Sequence, residues 1–168
     1  MAMKLSFTPG RALVAYSIMI IFFLVTGKTS SALSQNRDAS AEAKQFIGTI
    51  NRAQQAYFLE NDTYAGSTVD LSVLPPPRTN YKYVIVPANR TLPAVTHQAR
   101  PVRGTRQFNR AVIGGVVTVQ GVSPNEQMSV SKICIATLPP AQGGARGTES
   151  MIFSNYGLDC PSGYEQAR

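Results

Sequence analysis

The stretch DASAEAKQFIGTINRAQQAYFLE, Asp38 to Glu60, decides how the rest of this chain is read. Its apolar positions at 43, 46, 50, 53 and 57 are spaced alternately by three and four residues, which places them on one stripe of an α-helix. Phe46, Ile47, Ile50, Tyr57 and Phe58 make that stripe wide enough to pack on a sheet. Asp38 is positioned to cap the start, Glu42 lies in the first turn where negative charge suits the helix dipole, and Asn61 and Asp62 end the run. The polar face holds only Lys44 and Arg52 as cations, which favours packing on its own domain over lying flat on a membrane.

Upstream of the helix the first acidic residue is Asp38 itself, and everything before it carries only Lys4, Arg11, Lys28 and Arg37. Lys4 and Arg11 precede an unbroken apolar run, ALVAYSIMIIFFLVT, from Ala12 to Thr26. This is the layout of an exported N-terminus, and two readings of it stand. As a secretory signal, the run is the apolar core and Ser30 with Ala32 supply the small residues for cleavage after Ala32. As an anchor it stays in the bilayer, although residues 12–26 would span only about 22 Å of a hydrocarbon core of about 30 Å unless flanking residues are drawn in. Both readings put the remainder outside the cytoplasm, in the cell envelope or secreted.

Downstream, residues 63–80 form a small, polar loop ending in Pro75, Pro76 and Pro77, which cannot continue a helix. Tyr81 to Val86, YKYVIV, then reads as a strand with Tyr81, Tyr83 and Ile85 on one face. Further strands are expected at Leu92–Thr96, Ala111–Gln120, Val130–Thr137 and Met151–Phe153, with a bulge at Gly114 and Gly115. The predicted organisation is an export signal or anchor over 1–32, an amphipathic helix over 33–62, a loop over 63–80 and an antiparallel β head over 81–168. The fold class is therefore α+β, a long N-terminal helix packed on an antiparallel sheet.

Composition narrows the function. The 168 residues, 43% apolar and 15% charged, suffice for one folded domain and an appendage. With a single histidine, His97, and two cysteines, the chain has no His-rich metal site and no four-ligand zinc cage, and no cofactor is expected. In an oxidising compartment Cys134 and Cys160 read as a structural disulfide, worth about 3.5 kcal/mol in the chain-entropy model; the alternative is two buried free thiols. Gly143, Gly144 and Gly147 lack the Lys-Ser or Lys-Thr of a phosphate loop, and His97 has no nucleophile placed beside it by any local signature. No enzyme constellation or small-molecule substrate is indicated.

The segment EAKQFIGTINRAQQAYFLENDTYA, Glu42 to Ala65, resembles the end of the long helix and the start of the following loop in type IV pilin-like proteins, particularly the cyanobacterial group. NRAQQAYFLEN is its most specific part. YKYVIV, AVIGGVVTV, KICIATLPPA and DCPSGYEQAR follow in the order of the family's head, the last two resembling the cysteine-bearing segments that bracket its C-terminal disulfide loop. The similarity covers about Glu42 to Arg168. It implies a non-enzymatic envelope protein, an accessory or minor pilin or a pseudopilin, whose partners are other pilin-like subunits or envelope proteins and, through residues 12–26 if uncleaved, the membrane.

The N-terminus departs from the family's pattern. Pilins carry a glycine before the processing point, then Phe-Thr, with a glutamate at the fifth mature position. Here Ser6 stands where that glycine belongs, Phe7 begins the mature pattern, and Arg11 stands where the glutamate belongs. In the family that carboxylate neutralises a neighbouring N-terminal amine inside an apolar bundle, where an unpaired charge is costly. Arg11 supplies a second positive charge instead.

Charge gives the last signal. The chain has 16 Lys and Arg against 9 Asp and Glu, a net +7. Between Asp70 and Glu126 lie Arg78, Lys82, Arg90, Arg100, Arg103, Arg106 and Arg110 without one acid, four of them in the turn-rich stretch QARPVRGTRQFNR with His97 and Phe108 nearby. Arg90, Arg100, Arg103, Arg106 and Arg110 form a candidate anion-binding patch for extracellular DNA, acidic polysaccharide or lipid headgroups. The alternative is a solvated loop whose arginines maintain solubility. The rival to the pilin reading is a secreted, soluble binding module that reuses the same head and recognises DNA or acidic polysaccharide through this loop.

Overall fold

The computed structural model describes residues 30–88, 92–123 and 126–168. The chain divides into two units, Met1–Gln35 and Asn36–Arg168. Of the first, only the opening residues of a helix are described. Ser6, Phe7, Arg11 and Arg90 lie outside the described residues.

The helix α1 runs from Ser30 to Asn61. It begins well before Asp38, so that residue is interior to the helix and not its cap; SSALSQNR, residues 30–37, contains no glycine or proline to stop a helix. The end falls where the sequence predicts. Asp62 adopts the left-handed conformation, φ 55°, and its N–H turns back to the Phe58 carbonyl at 2.9 Å, while Asn61 Nδ2 donates to the Tyr57 carbonyl. The inward face is Ser40, Ala43, Phe46, Ile47, Ile50, Asn51, Gln54 and Phe58. Ala53 and Tyr57, expected on the stripe, are only half-buried, and two polar residues occupy the core-facing side in their place.

Among the described residues seven strands follow: β1 Tyr81–Pro87, β2 Ala94–Pro101, β3 Val112–Gln120, β4 Gln127–Ala136, β5 Ile152–Ser154, β6 Gly157–Asp159 and β7 Tyr164–Gln166. Five make one antiparallel sheet in the order β1-β2-β3-β4-β7, and β5 pairs with β6 in a separate ribbon. Pro87 and Pro101 sit at strand ends, where a missing N–H costs least.

β4 begins at Gln127, three residues before its expected start, and two further features differ from expectation. β2 is longer than predicted and displaced towards the C-terminus, so Gln98, Ala99 and Arg100 belong to a strand and not to a turn-rich stretch. The cause is burial: Ala94 through Gln98 are buried, and their backbone groups are paired on both sides by β1 and β3. Gly114 and Gly115 form no bulge, since β3 pairs in unbroken register with β2 and with β4 through both glycines.

The sheet is covered on both faces. Against α1 pack Tyr81, Ala99, Val112 and Ile135, with Tyr83 and Ile85 beside them as the alternation in YKYVIV predicts. On the other face Ile113, Val117, Cys134 and Ala136 pack against Met151, Leu158 and Tyr164 from the C-terminal segment. This double cover explains why β3 reads as a continuous apolar run rather than an alternating one.

Candidate functional site

The seam between α1 and the sheet is built around a glycine. A Cβ at Gly114 would overlap Ile47 Cγ2 and lie 3.1 Å from Asn51 Oδ1, so the bare backbone is what lets the helix settle onto β3. Asn51 uses this closeness. Its Nδ2 donates to the Lys132 carbonyl at 3.3 Å, which turns Oδ1 towards His97 on β2 to accept from Nδ1 at 2.8 Å. His97 is fully buried, neither solvent-facing nor part of an arginine surface, and its Nε2 has no partner among the described residues. Burial lowers its pKa to about 3, so the ring is neutral at physiological pH.

One turn further on, Gln54 closes a two-way clamp on the loop after the helix: Nε2 donates to the Ala65 carbonyl at 2.8 Å and Oε1 accepts from the Ala65 N–H at 2.9 Å. Tyr64 then reaches Thr118 at the end of β3, hydroxyl to hydroxyl at 2.8 Å. Asn51 and Gln54 are thus the buried polar residues of NRAQQAYFLEN. Each is a buried polar group with its partners in place, which fixes where the helix lies on the sheet more sharply than apolar contact alone.

The opposite face is held by the disulfide and a polar knot. Cys134 on β4 is bonded to Cys160 just after β6, with Cα atoms 5.8 Å apart, as the compartment argument predicted. Gly115 does here what Gly114 does beneath the helix: a Cβ would come 2.8 Å from Met151 Cγ and 3.2 Å from Leu158 Cδ1. Nearby, Gln98 Nε2 donates to the Glu149 carbonyl at 2.8 Å, and the Arg100 guanidinium donates to Gln98 Oε1 and to the Gly147 carbonyl. The Glu149 carboxylate accepts from the Tyr164 hydroxyl at 2.7 Å and from the Gly147 N–H at 2.9 Å. Partial burial alone would raise the Glu149 pKa, but these bonds outweigh it and hold the group below its usual value; Tyr164 is raised by burial and by the carboxylate it faces.

The structure separates the arginines that the sequence groups together. Arg100 lies in β2 and is engaged in the polar knot, and Arg110 pairs with Glu165 at 3.3 Å. Arg103 and Arg106 are exposed in the connection between β2 and β3, with Arg106 Nε donating to the Pro101 carbonyl. Sequence proximity did not reveal Arg146. It lies on the connection between β4 and β5, whose Ala141 N–H donates to the Arg106 carbonyl, so the two connections adjoin and present Arg103, Arg106 and Arg146 at one end of the head. Val102, Phe108 and Leu138 are exposed at that end as well. The chain enters the head here, because Ser40 lies 3.4 Å from the Tyr81 hydroxyl, which donates to the Arg110 carbonyl.

Among the described residues, no group of three His, Cys, Asp or Glu side chains could hold a metal ion, and no helix is long and apolar enough to cross a membrane. An open groove beside β7 is lined by Lys44, Arg110, Glu165 and Arg168.

A family model described as type IV pilin-like G and H matches residues 40–156, from the buried face of α1 to the turn between β5 and β6. No curated protein and no solved structure matches the chain.

Proposed function

The chain belongs to the type IV pilin-like family, and on that premise we propose that it is a non-enzymatic envelope protein, an accessory subunit of the minor pilin or pseudopilin kind, whose head makes protein contacts. The observation that carries this reading is the coincidence of the matched stretch with the helix-on-sheet unit. Asn51, Gln54 and Gly114, which seat the helix on the sheet, lie within it, as does Cys134, whose disulfide partner Cys160 lies just beyond. Arg11 argues for an accessory place rather than the bulk of a filament, because a cation where the family has a carboxylate is poorly suited to a repeating apolar core.

A photo-crosslinking residue at Leu59 or Tyr156, both strongly exposed, tests the reading in native envelopes. Adducts are expected with chains that carry a type IV pilin N-terminus, or with further copies of this one. Recovery of the protein only as an uncrosslinked monomer in the medium would overturn it.

A further inference from the structure

We propose that the end of the head at which the chain enters is a docking surface for an anionic bilayer. Three features meet there. The exposed arginines Arg103 and Arg146 have no side-chain partner among the described residues, and Arg106 stands between them with only a carbonyl contact. Val102, Phe108 and Leu138, between about two-fifths and one-half exposed, lie on the same two connections. Of the carboxylates at the same end, Glu149 is engaged by Tyr164 and Gly147 and Glu165 by Arg110, while Glu42 on α1 lies beside Tyr81 and Tyr83.

Among the described residues the charge is polarised along the head. At the opposite end Glu60 and Asp62 close the helix and Glu126 sits in the β3–β4 turn, all exposed. An electrostatic surface of this kind would approach a negatively charged plane with one end only.

The apolar side chains select the partner. Val102 and Leu138 offer nothing to a phosphodiester backbone or a polysaccharide, whereas at a headgroup boundary they and Phe108 would enter the acyl region while the arginines extend to the phosphates. The proposal rests on the envelope placement given above and not on entry into a filament.

The absence of tryptophan from the chain supplies the test. Phe108→Trp, and separately Leu138→Trp, place a single indole on the surface; Tyr156→Trp places one in the β5–β6 turn as a control. Full-length protein is reconstituted into vesicles of phosphatidylglycerol and phosphatidylcholine, or of phosphatidylcholine alone. The expected result is a blue-shifted indole at 108 and 138, quenched by brominated acyl chains in anionic vesicles and released by high salt, with no change at 156. Arg103→Ser together with Arg146→Ser should weaken docking about fivefold per arginine. No shift at either position, an equal shift on phosphatidylcholine alone, or a stronger response to an oligodeoxynucleotide at equal phosphate concentration would overturn the proposal.

Discussion

Two glycines of the same chain should respond in opposite directions to the same substitution. Gly114→Ala drives a methyl group into Ile47 and the Asn51 carboxamide, an overpacking that costs about 1–3 kcal/mol. Gly48→Ala, on α1, meets only ordinary contact at 3.5 Å from Ile133 and gains helix propensity of up to about 1 kcal/mol. Urea denaturation of both variants measures the contrast, and a neutral Gly114→Ala would contradict the close helix approach. His97 supplies a pH dependence. Its pKa is about 3 when folded against about 6.5 when unfolded, so between these values the unfolded chain binds the extra proton and stability falls as pH drops. The loss approaches about 1.4 kcal/mol per pH unit across the window and is absent above pH ~7. Subtracting the profile of His97→Gln from that of the native chain should isolate this slope; identical profiles would show that the ring is not buried neutral.

At the scale of elements, the disulfide fastens β4 to the C-terminal segment while α1 lies against the other face. Replacing both Cys134 and Cys160 by serine should cost about 3.5 kcal/mol. Amide exchange should quicken first in β5, β6 and β7, with α1 and β1 to β3 keeping their protection. Uniform loss across the head would show instead that the two layers unfold together. The helix, its end at Asn61 and Asp62 and the inward face of β1 were legible because each is a local pattern, a period of 3.6 or of 2 with a stop signal. The second cover was not. β6 and β7 have three residues each, too short for a period, and they exist because a disulfide and the bare surface of Gly115 hold the segment against the sheet. The same limit hid the roles of Gly114 and Gly115, whose pattern suits a bulge until the helix above one and Met151 below the other are known.

For the whole molecule, family and fold class were readable and the surface was not. NRAQQAYFLEN contains Asn51 and Gln54, buried polar residues whose partners fix where the helix lies on the sheet. The arginines carry no such constraint. Their grouping in sequence placed Arg100 and Arg110 with Arg103 and Arg106, whereas folding engages the first two with protein partners and brings Arg146 to the others. What the head does therefore depends on what it stays attached to. The mass of the mature N-terminus, measured on protein recovered from native envelopes, tests the pilin-like account most directly. A chain that still carries the apolar run 12–26, beginning at Phe7 after pilin-type processing or at Met1 as an uncleaved anchor, is the predicted result. A chain beginning at Leu33, cut after Ala32 and free of the envelope, would contradict it and leave a secreted binding module in its place.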